Sequence, residues 1–310
     1  MLDVISLGQL VADVVVKPVE GFPQKGTAGL VSQIKLHSGG CALNTANTLG
    51  KLELKAGAVG KVGDEIFGDF LISEMNACGV NTEGVKKDHN ANTSSVIVMV
   101  SSNGERTFLY CPGATEELTI DDIDFSLIEH SKILHIGGVM KLPKLDVAAV
   151  LKKAKDFAVT TSLDTDWDPT GRWLSLVEPC LRYVDIFTPS MDEAKMIFGK
   201  NEPQEIMKTA LSYGIGIVAL KMGEAGCYIK TEDDGFHIPA YKVNVTDTTG
   251  AGDSFVGGFL TGIAKGWDLR ESGIFANAVG ALCVTALGAT TGVKGFDETM
   301  AFMKNQRPDV

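Results

Sequence analysis

The feature that most constrains the fold is a regular alternation of short apolar runs with longer amphipathic stretches, punctuated by glycine. Strand-like apolar runs occur at 4–7, 56–59, 133–136, 159–163, 184–187 and 217–220. The stretches between them are longer, and the one at 64–77 has apolar residues at helical spacing and ends before Gly79. This order of elements predicts an α/β fold in which helices cover both faces of a mainly parallel sheet.

Two segments break this alternation. Residues 94–100 and 106–110 flank Ser102-Asn103-Gly104, which predicts a β-hairpin. Residues 11–16 and 30–36 flank a loop rich in glycine and proline and are also predicted strands. We expect these insertions, at about 11–36 and 92–114, to form a small sheet that covers a site as a lid. Nothing in the composition divides residues 1–310 into separate domains.

Composition excludes several classes of function. The chain has 310 residues, of which 45% are hydrophobic, and its net charge of −11 gives no general attraction to nucleic acids or acidic membranes. The uncharged segment 272–293 contains Asn, Thr and Gly, which favours a buried helix over a membrane span. Six scattered cysteines without metal-ligand spacing, and acidic residues where a signal peptide would be basic, predict a cytoplasmic protein with reduced thiols.

The strongest local motif precedes an apolar helical pattern at 256–264. It reads Asp247-Thr248-Thr249-Gly250-Ala251-Gly252-Asp253. A Gly-Ala-Gly turn at the start of a helix directs unpaired N–H groups at one point and can hold a phosphate. An acid in such a turn repels that anion, so Asp253 is either a base for a hydroxyl attacking the phosphate or a simple helix cap. These residues alone leave the two interpretations about equal.

Two weaker signals lie near the N-terminus. Gly39 and Gly40 lead into a helical stretch with Asn44 one turn in, which suits either close approach of a ligand or an ordinary loop-to-helix junction. Asp13 follows the first predicted strand, where open α/β sheets bind ligands, and could accept hydrogen bonds from a sugar diol. A lone loop aspartate is more often simply solvated.

Together these motifs resemble the PfkB (ribokinase-like) family of carbohydrate kinases. The similarity lies in Gly39-Gly40-x-x-x-Asn44 and in the motif ending at Asp253, which occur in the family's order and separation. It extends to Leu220-Lys221-Met222-Gly223-Glu224-Ala225-Gly226, which matches the family's nucleotide loop. The resemblance implies a ribokinase-like, doubly wound α/β fold with a small β-sheet lid, and transfer of a phosphoryl group from ATP to a sugar hydroxyl.

The resemblance also implies a role for each matching position. Asp253 is the base, and the amides of Gly250, Ala251 and Gly252 form the anion hole. The sugar is held by Asp13, Gly39, Gly40 and Asn44, and the nucleotide is contacted by Lys221, Gly223, Gly226 and Asn277. Asp247 and Thr249, with carbonyls around Ala286 and Gly288, match the loops that hold a monovalent cation such as K⁺ in many members.

The sequence departs from the family pattern in three places. The Asn-x-x-Glu motif that organises Mg²⁺ and phosphates is Ser190-Met191-Asp192-Glu193 here, so we expect Glu193 to serve the metal and Ser190 to contact phosphate more weakly. The segment 135–140 lacks the sugar-binding acid of ribokinases, which argues against strict ribokinase specificity. The hairpin lacks the arginine pattern of ketodeoxygluconate kinases, although Arg106 lies nearby.

The sequence therefore predicts an ATP- and Mg²⁺-dependent sugar kinase whose partners are small molecules. A nucleoside kinase of the same fold and a non-catalytic sugar or nucleotide sensor are the alternatives. Free edges of the lid sheet would allow two copies to pair as a homodimer. Of the other polar residues, His135 is predicted to be a core histidine, and the run Asp164-x-Asp166-x-Asp168 to end a strand at the ligand edge of the sheet.

Overall fold

The computed structural model describes residues 1–306, which form thirteen strands and eleven α-helices. The strands are β1 (Leu2–Gly8), β2 (Val11–Lys17), β3 (Gln33–Gly39), β4 (Ala56–Gly63), β5 (Asn81–Asp88), β6 (Ser95–Val100), β7 (Arg106–Cys111), β8 (Ser131–Gly137), β9 (Thr160–Leu163), β10 (Ile186–Phe187), β11 (Ile217–Lys221), β12 (Cys227–Lys230) and β13 (Gly235–Ile238). The helices are α1 (Cys41–Lys51), α2 (Ile66–Ala77), α3 (Gly113–Glu116), α4 (Phe125–Glu129), α5 (Val147–Asp156), α6 (Leu174–Leu181), α7 (Met191–Phe198), α8 (Pro203–Leu211), α9 (Ala251–Ala264), α10 (Leu269–Cys283) and α11 (Phe296–Asn305).

The main sheet has the order β13-β12-β11-β10-β9-β8-β1-β4-β5. The strands from β11 to β5 are parallel, and only β12 and β13 run antiparallel to their neighbours. The chain builds outward from β1 to β5 and then returns to the other side of β1 with β8. The strand order therefore reverses between β1 and β8, and ligands of open α/β sheets bind at the carboxyl ends of the strands at such a point.

Helices cover both faces of this sheet, as the sequence predicts. Alternate residues of a strand point to opposite faces. Val4 and Ile133 pack in the apolar cluster of α1, α2, α9 and α10, whereas Ile5 and Leu134 pack in the cluster of α5 to α8. All six strands predicted from the apolar runs are present, and the fold class is confirmed. The sequence did not predict β5, β12 or β13.

A separate four-stranded sheet, the lid, has the order β3-β2-β6-β7. Its register places Asp13 opposite His37 and beside Val96, and Val98 opposite Phe108. The strand expected over 30–36 begins only at Gln33, because Gln33 pairs with Lys17, the last residue of β2. Pro18 follows Lys17 and has no amide hydrogen with which to extend the pairing.

The uncharged segment 272–293 falls mostly within α10, which is 15 residues long. Phe275, Ala276 and Val279 of this helix are fully buried against α9 and the sheet. In residues 1–306 no helix has both the length and the apolar character that crossing a bilayer requires. The prediction of a buried helix is confirmed.

The packing of α9 on the sheet depends on Phe259, which is fully buried and stacks on Phe255. We expect Phe259→Ala to lower the free energy of unfolding by about 3–5 kcal/mol, because the cavity is added to the lost burial. Ile66→Ala, at a position 76% exposed, should change it by less than about 0.5 kcal/mol. Denaturant unfolding of the two variants tests this, and similar losses in both would contradict it.

Candidate active site

The site lies where the central strands β1 and β8 end in glycine. A Cβ atom on Gly8 would lie 2.1 Å from the carbonyl oxygen of Gly137, and one on Gly137 would lie 2.7 Å from the amide nitrogen of Ala42. Neither position can carry a side chain without displacing backbone. These two glycines therefore let the N-terminus of α1 rest directly on the strand ends.

The glycine loop starts α9 earlier than the sequence predicts. The helix begins at Ala251, so Gly252 and Asp253 lie in its first turn instead of before it. Gly250 precedes the helix in the left-handed region (φ 74°), and a Cβ on it would lie 2.1 Å from the carbonyl oxygen of Ala289. Only glycine fits such a conformation so close to another chain segment, so this residue fixes the direction of α9.

Three backbone N–H groups of this turn have no partner among residues 1–306. Ala251 N donates to Thr248 O at 3.3 Å, whereas the amides of Gly250, Gly252 and Asp253 make no hydrogen bond there. They point out of the N-terminus of a 14-residue helix, where an anion is stabilised. Two amides of the predicted set, those of Gly250 and Gly252, are thus unpaired, and the unpaired amide of Asp253 lies beside them.

Asp253 does not cap its helix. Its carboxylate turns toward α1 and accepts a hydrogen bond from Asn44 Nδ2 at 2.8 Å, and no side chain caps α9. Burial raises the pKa of Asp253, against the opposing effects of Asn44 and the Lys221 ammonium. The capping interpretation is therefore wrong, and what remains is a half-buried carboxylate beside a helix start with unpaired amides.

Asp13 lies on β2 of the lid, against Gly39 at the end of β3. A Cβ on Gly39 would lie 2.3 Å from Asp13 Oδ2, so the glycine is needed for the acid to fit. Burial raises the pKa of Asp13 to about 7. The Oδ1 atom of Asn44 is buried and has no hydrogen-bond partner in residues 1–306. The structure thus brings the predicted sugar-binding residues together and leaves acceptors free for hydroxyl groups.

Lys221 supplies a positive charge beside the glycine turn. Its ammonium lies 2.7 and 2.9 Å from the two carboxylate oxygens of Asp164, and a Cβ on Gly252 would lie 3.3 Å from it. Burial opposes the charge, but Asp164 and Glu193 outweigh it and raise the pKa of Lys221. The lysine stays protonated, next to the unpaired amides.

Ser190 and Glu193 form a capping box at the start of α7. The serine hydroxyl accepts from Glu193 N, and Glu193 Oε2 accepts from Ser190 N and from the Thr165 hydroxyl at 2.9 Å each. Glu193 Oε1 makes no hydrogen bond in residues 1–306. This oxygen could therefore hold metal-bound water. Residues 1–306 contain no group of three or more acidic, His or Cys side chains that could hold a metal ion directly.

The other predicted nucleotide residues lie in and around the turn that links β11 to β12. Gly223 and Gly226 have φ angles of 59° and 93°, and a Cβ on Gly226 would lie 2.0 Å from Ile238 O. Asn277 Nδ2 donates to the carbonyls of Ile238 and Pro239 at 3.1 Å each. These residues shape the loop beside β13, and none of them lies within the anion-binding turn itself.

The predicted cation residues also meet. Asp247 Oδ1 accepts from the amide and the hydroxyl of Thr249, and Oδ2 accepts from Gly288 N at 3.0 Å. Within residues 1–306 the carbonyls of Ala286 and Gly288 accept no hydrogen bond, so this oxygen-rich set could hold a monovalent cation. Burial disfavours the Asp247 charge, but hydrogen bonds from Thr249, Gly288 and Arg106 outweigh it and lower its pKa.

Four site residues were not assigned from the sequence: Arg106, Lys141, Asp164 and Asp166. Asp164 and Asp166 follow β9 at the ligand edge, where the run of acids was correctly placed but given no role. Burial raises the pKa of Asp166 to about 7, and Lys141 Nζ lies 3.7 Å from its carboxylate. The lysines that pair with Asp164 and Asp166 lie far from them in the sequence, so only the order of the strands could have revealed these pairs. Arg106 shares a face of the lid with Asp13, which period-two alternation would have shown.

His135 is the core histidine that the sequence predicts. It is fully buried, and its Nδ1 lies 3.0 Å from the Ser162 hydroxyl. Burial lowers its pKa to about 3, so the ring stays neutral. It supports the sheet beneath the site without carrying charge into it.

Comparisons with known proteins agree with this geometry. The sequence matches the family described as pfkB family carbohydrate kinase over residues 1–294. It is 30% identical over 321 aligned positions to the probable fructokinase-5 of Arabidopsis thaliana, covering 98% of each chain. Two solved structures share the fold. A provisionally assigned ribokinase II from E. coli, in complex with ATP and Mg²⁺, is 23% identical with a TM-score of 0.88 and covers 99% of this chain and 100% of its own.

The second structure is a fructokinase from Vibrio cholerae O395 in a form with fructose, ADP and calcium bound. It is 23% identical, with a TM-score of 0.83, and covers 97% of this chain and 99% of its own. The family match spans nearly the whole chain and includes every strand and helix that positions the site. With its carboxylates, glycine turn and lid assembled as described, the chain belongs to the pfkB family of carbohydrate kinases.

Proposed function

We propose that this carbohydrate kinase transfers the γ-phosphoryl group of ATP to a hydroxyl group of an uncharged sugar, with Asp253 as the general base. The observation that carries the proposal is the half-buried Asp253 carboxylate, held by Asn44 at 2.8 Å next to the unpaired amides of α9. A base and an anion-binding site at one helix start are the two groups that phosphoryl transfer to an alcohol needs.

In this mechanism the acceptor hydroxyl approaches Asp253 and gives up its proton to the carboxylate as the oxygen attacks the γ-phosphorus, and the bond from that phosphorus to the bridging oxygen breaks to release ADP. Burial raises the pKa of Asp253, which makes it a better proton acceptor than an exposed aspartate. The amides of Gly252 and Asp253, with the Lys221 ammonium, stabilise the charge on the transferring group. Mg²⁺ bound with ATP would neutralise phosphate charge, held through water by Glu193.

The charges of the site favour an uncharged acceptor. Three cationic side chains of the site each have a carboxylate partner: Lys221 with Asp164, Lys141 with Asp166, and Arg106 with Asp247. Asp13 and Asp253 have no such ion-pair partner in residues 1–306. An acid or phosphate on the sugar would therefore meet uncompensated negative charge. Since the relative reported above is named a fructokinase, fructose is the first acceptor to test.

The inner face of the lid can pack on the sugar ring. Val98 and Phe108 are opposite each other, and Tyr110 lies two residues beyond Phe108 on the same face. Phe108 is 57% exposed in the absence of a ligand. These aromatic groups would also suit a nucleoside base, so a nucleoside kinase is the alternative acceptor class. A non-catalytic sensor is disfavoured, since a sensor gains nothing from a buried carboxylate beside a phosphate site.

Two further features belong to the proposal. A monovalent cation such as K⁺ would bind at Asp247 and the free carbonyls of Ala286 and Gly288. Two copies would pair through the free edges of the lid sheet, at β3 or β7. Closing a lid over the sugar excludes water, which would otherwise compete as the phosphoryl acceptor.

A panel of acceptors tests the substrate class. We expect ADP release with Mg²⁺ and K⁺ to be fastest with a neutral hexose or pentose such as fructose or ribose. Fructose 6-phosphate and gluconate should react at least about tenfold more slowly in kcat/KM, the effect of about 1.4 kcal/mol of charge repulsion. Faster turnover of adenosine or of a charged sugar would overturn the assignment of an uncharged sugar.

Asp253→Asn should lower kcat by roughly 10²–10⁴-fold, the usual effect of removing a general base. The amide can still accept from Asn44, so the fold and the Kd for MgATP should hardly change. Asp192→Asn is the matched control, since Asp192 lies on α7 with its side chain 82% exposed. Calorimetry with MgATP and steady-state kinetics measure both effects, and a variant that keeps most of its activity would remove Asp253 from the mechanism.

Sugar affinity should rise as the pH increases through about 7. Burial raises the pKa of Asp13 to about 7 in the free protein, and only the ionised form accepts two sugar hydroxyl bonds. Bonds to a charged acceptor are worth about 1.5–3 kcal/mol each, so Asp13→Asn should weaken sugar binding at pH 8 at least about tenfold. It should also flatten the pH profile.

In the absence of sugar, the contribution of Asp13 to the free energy of unfolding changes with pH in the opposite direction and falls as the pH rises. Because the pKa of Asp13 is higher in the folded than in the unfolded protein, Asp13 contributes stability below about pH 4 that is lost as the pH rises toward 7. The difference in free energy of unfolding between Asp13→Asn and wild type should therefore grow over this range. Both measurements are made on an Asp253→Asn background, which removes the second buried carboxylate. A pH-independent sugar affinity would contradict the role of Asp13.

A further inference from the structure

One side chain of the lid reaches the catalytic loop. Arg106, the first residue of β7, donates from Nη2 to Asp247 Oδ1 and from Nη1 to the Thr249 hydroxyl, each at 2.8 Å. Among residues 1–306, no other side chain of the four lid strands makes a hydrogen bond with any residue after 131. Arg106 is therefore the direct polar link between the lid and the loop that starts α9.

The carboxylate that receives this link organises the whole glycine turn. Asp247 is 6% exposed and also accepts from Thr249 N and from Gly288 N. Gly250 follows Thr249 and lies against Ala289 so closely that a Cβ would be 2.1 Å from its carbonyl oxygen. The position of Asp247 thus sets the path of the chain into the unpaired amides of Gly252 and Asp253.

We propose that Arg106 is a positioning residue that couples closure of the lid to assembly of the anion-binding turn. With the lid closed, its guanidinium compensates the buried Asp247 charge and fixes Thr249. With the lid open, Asp247 and Thr249 lose the two hydrogen bonds from the guanidinium, and the turn is held less firmly in place. This inference rests on the proposed function, because it assigns the turn to the transferring phosphoryl group.

The coupling would make catalysis conditional on the sugar. A lid that closes on a bound sugar brings Arg106 to Asp247, so the amides are in position only when the acceptor is present. Water alone does not close the lid and meets an incomplete site. The guanidinium suits this task because its planar fork donates to two oxygens at once, which a lysine cannot do in the same geometry.

The alternative role for Arg106 is direct recognition of the sugar. An interaction made with the bound sugar would appear in the sugar Kd. An interaction that only positions the phosphoryl-binding amides would appear in kcat, because these amides act on charge that develops in the transition state. The two roles are therefore separable by measurement.

The experiment compares Arg106→Ala and Arg106→Lys with Thr107→Ala, a substitution at the next position of β7, whose side chain points to the opposite face of the lid. We expect kcat with the best sugar to fall at least tenfold in both Arg106 variants and to stay within twofold in Thr107→Ala. The calorimetric Kd values for sugar and for MgATP should change less than threefold. Millimolar guanidinium should restore activity several-fold in Arg106→Ala and leave Thr107→Ala unaffected.

A measurement that does not use turnover separates this inference from the proposed function. Hydrogen–deuterium exchange of residues 247–253 should slow on addition of sugar in wild type and remain unchanged in Arg106→Ala. The inference is overturned by a raised sugar Kd with normal kcat, by normal kcat and Kd, or by equal sugar-induced protection in both proteins. Failure of the proposed function has a different signature, since wild type would then phosphorylate no sugar at all.

A double substitution provides the last test. If Arg106 acts through Asp247, adding Arg106→Ala to Asp247→Asn should lower kcat by less than twofold beyond Asp247→Asn alone, because the shared interaction is already lost. If the two substitutions instead lower kcat independently, so that their fold-losses multiply, Arg106 acts through another contact and the coupling is overturned. Thermal unfolding within about 2 °C of wild type for Arg106→Ala excludes a purely structural effect.

Discussion

The site depends on the close approach of α1 and α9, two helices about 200 residues apart in the chain. Their contact is made possible by Gly257, where a Cβ would lie 2.6 Å from Thr48 Cγ2. One turn nearer the helix starts, Asn44 donates to Asp253 across the same interface. Burying a carboxylate between helices disfavours its charge. This unfavourable contact lies where the proposed mechanism needs a strong proton acceptor.

Glycine lets backbone and acidic groups share a space that side chains would fill. Gly8 and Gly137 bring the strand ends under α1, Gly39 makes room for Asp13, and Gly252 makes room for Lys221. Each of these glycines removes a Cβ that would lie within about 3.3 Å of a functional or backbone atom. At these positions glycine therefore serves close packing around the site and not flexibility.

The sequence predicts the fold and the motifs well because both are local. Short apolar runs and helical spacing located six parallel strands and several helices, and the two glycine motifs marked the starts of α1 and α9. It missed what depends on distant partners. Lys221 meets Asp164, 57 residues away, and Arg106 meets Asp247, 141 residues away. No short pattern records such pairs, because strand order and lid placement decide them.

Ser190 shows a different limit of sequence analysis. The sequence treats it as a weaker substitute for an amide that contacts phosphate, whereas the structure shows an N-cap whose partner is Glu193. Serine and asparagine are about equally good in that position, so the helix start is preserved by either residue. Serine in place of the family's asparagine is therefore not expected to change the stability of α7. The weaker contact between Ser190 and phosphate stays a prediction.

The charge distribution explains how an acidic protein can bind a polyanion. The chain carries a net charge of −11, so long-range attraction does not bring ATP to the site. What the site offers is short-range: unpaired amides at a helix start and one ammonium, Lys221, fixed by Asp164. Asp164 offsets much of the Lys221 charge for a nucleotide that is still far away, whereas a phosphate that reaches the ammonium can still interact with it directly. Binding of the nucleotide then depends on precise geometry and on the metal ion that accompanies ATP, which is also what the transferring phosphoryl group requires.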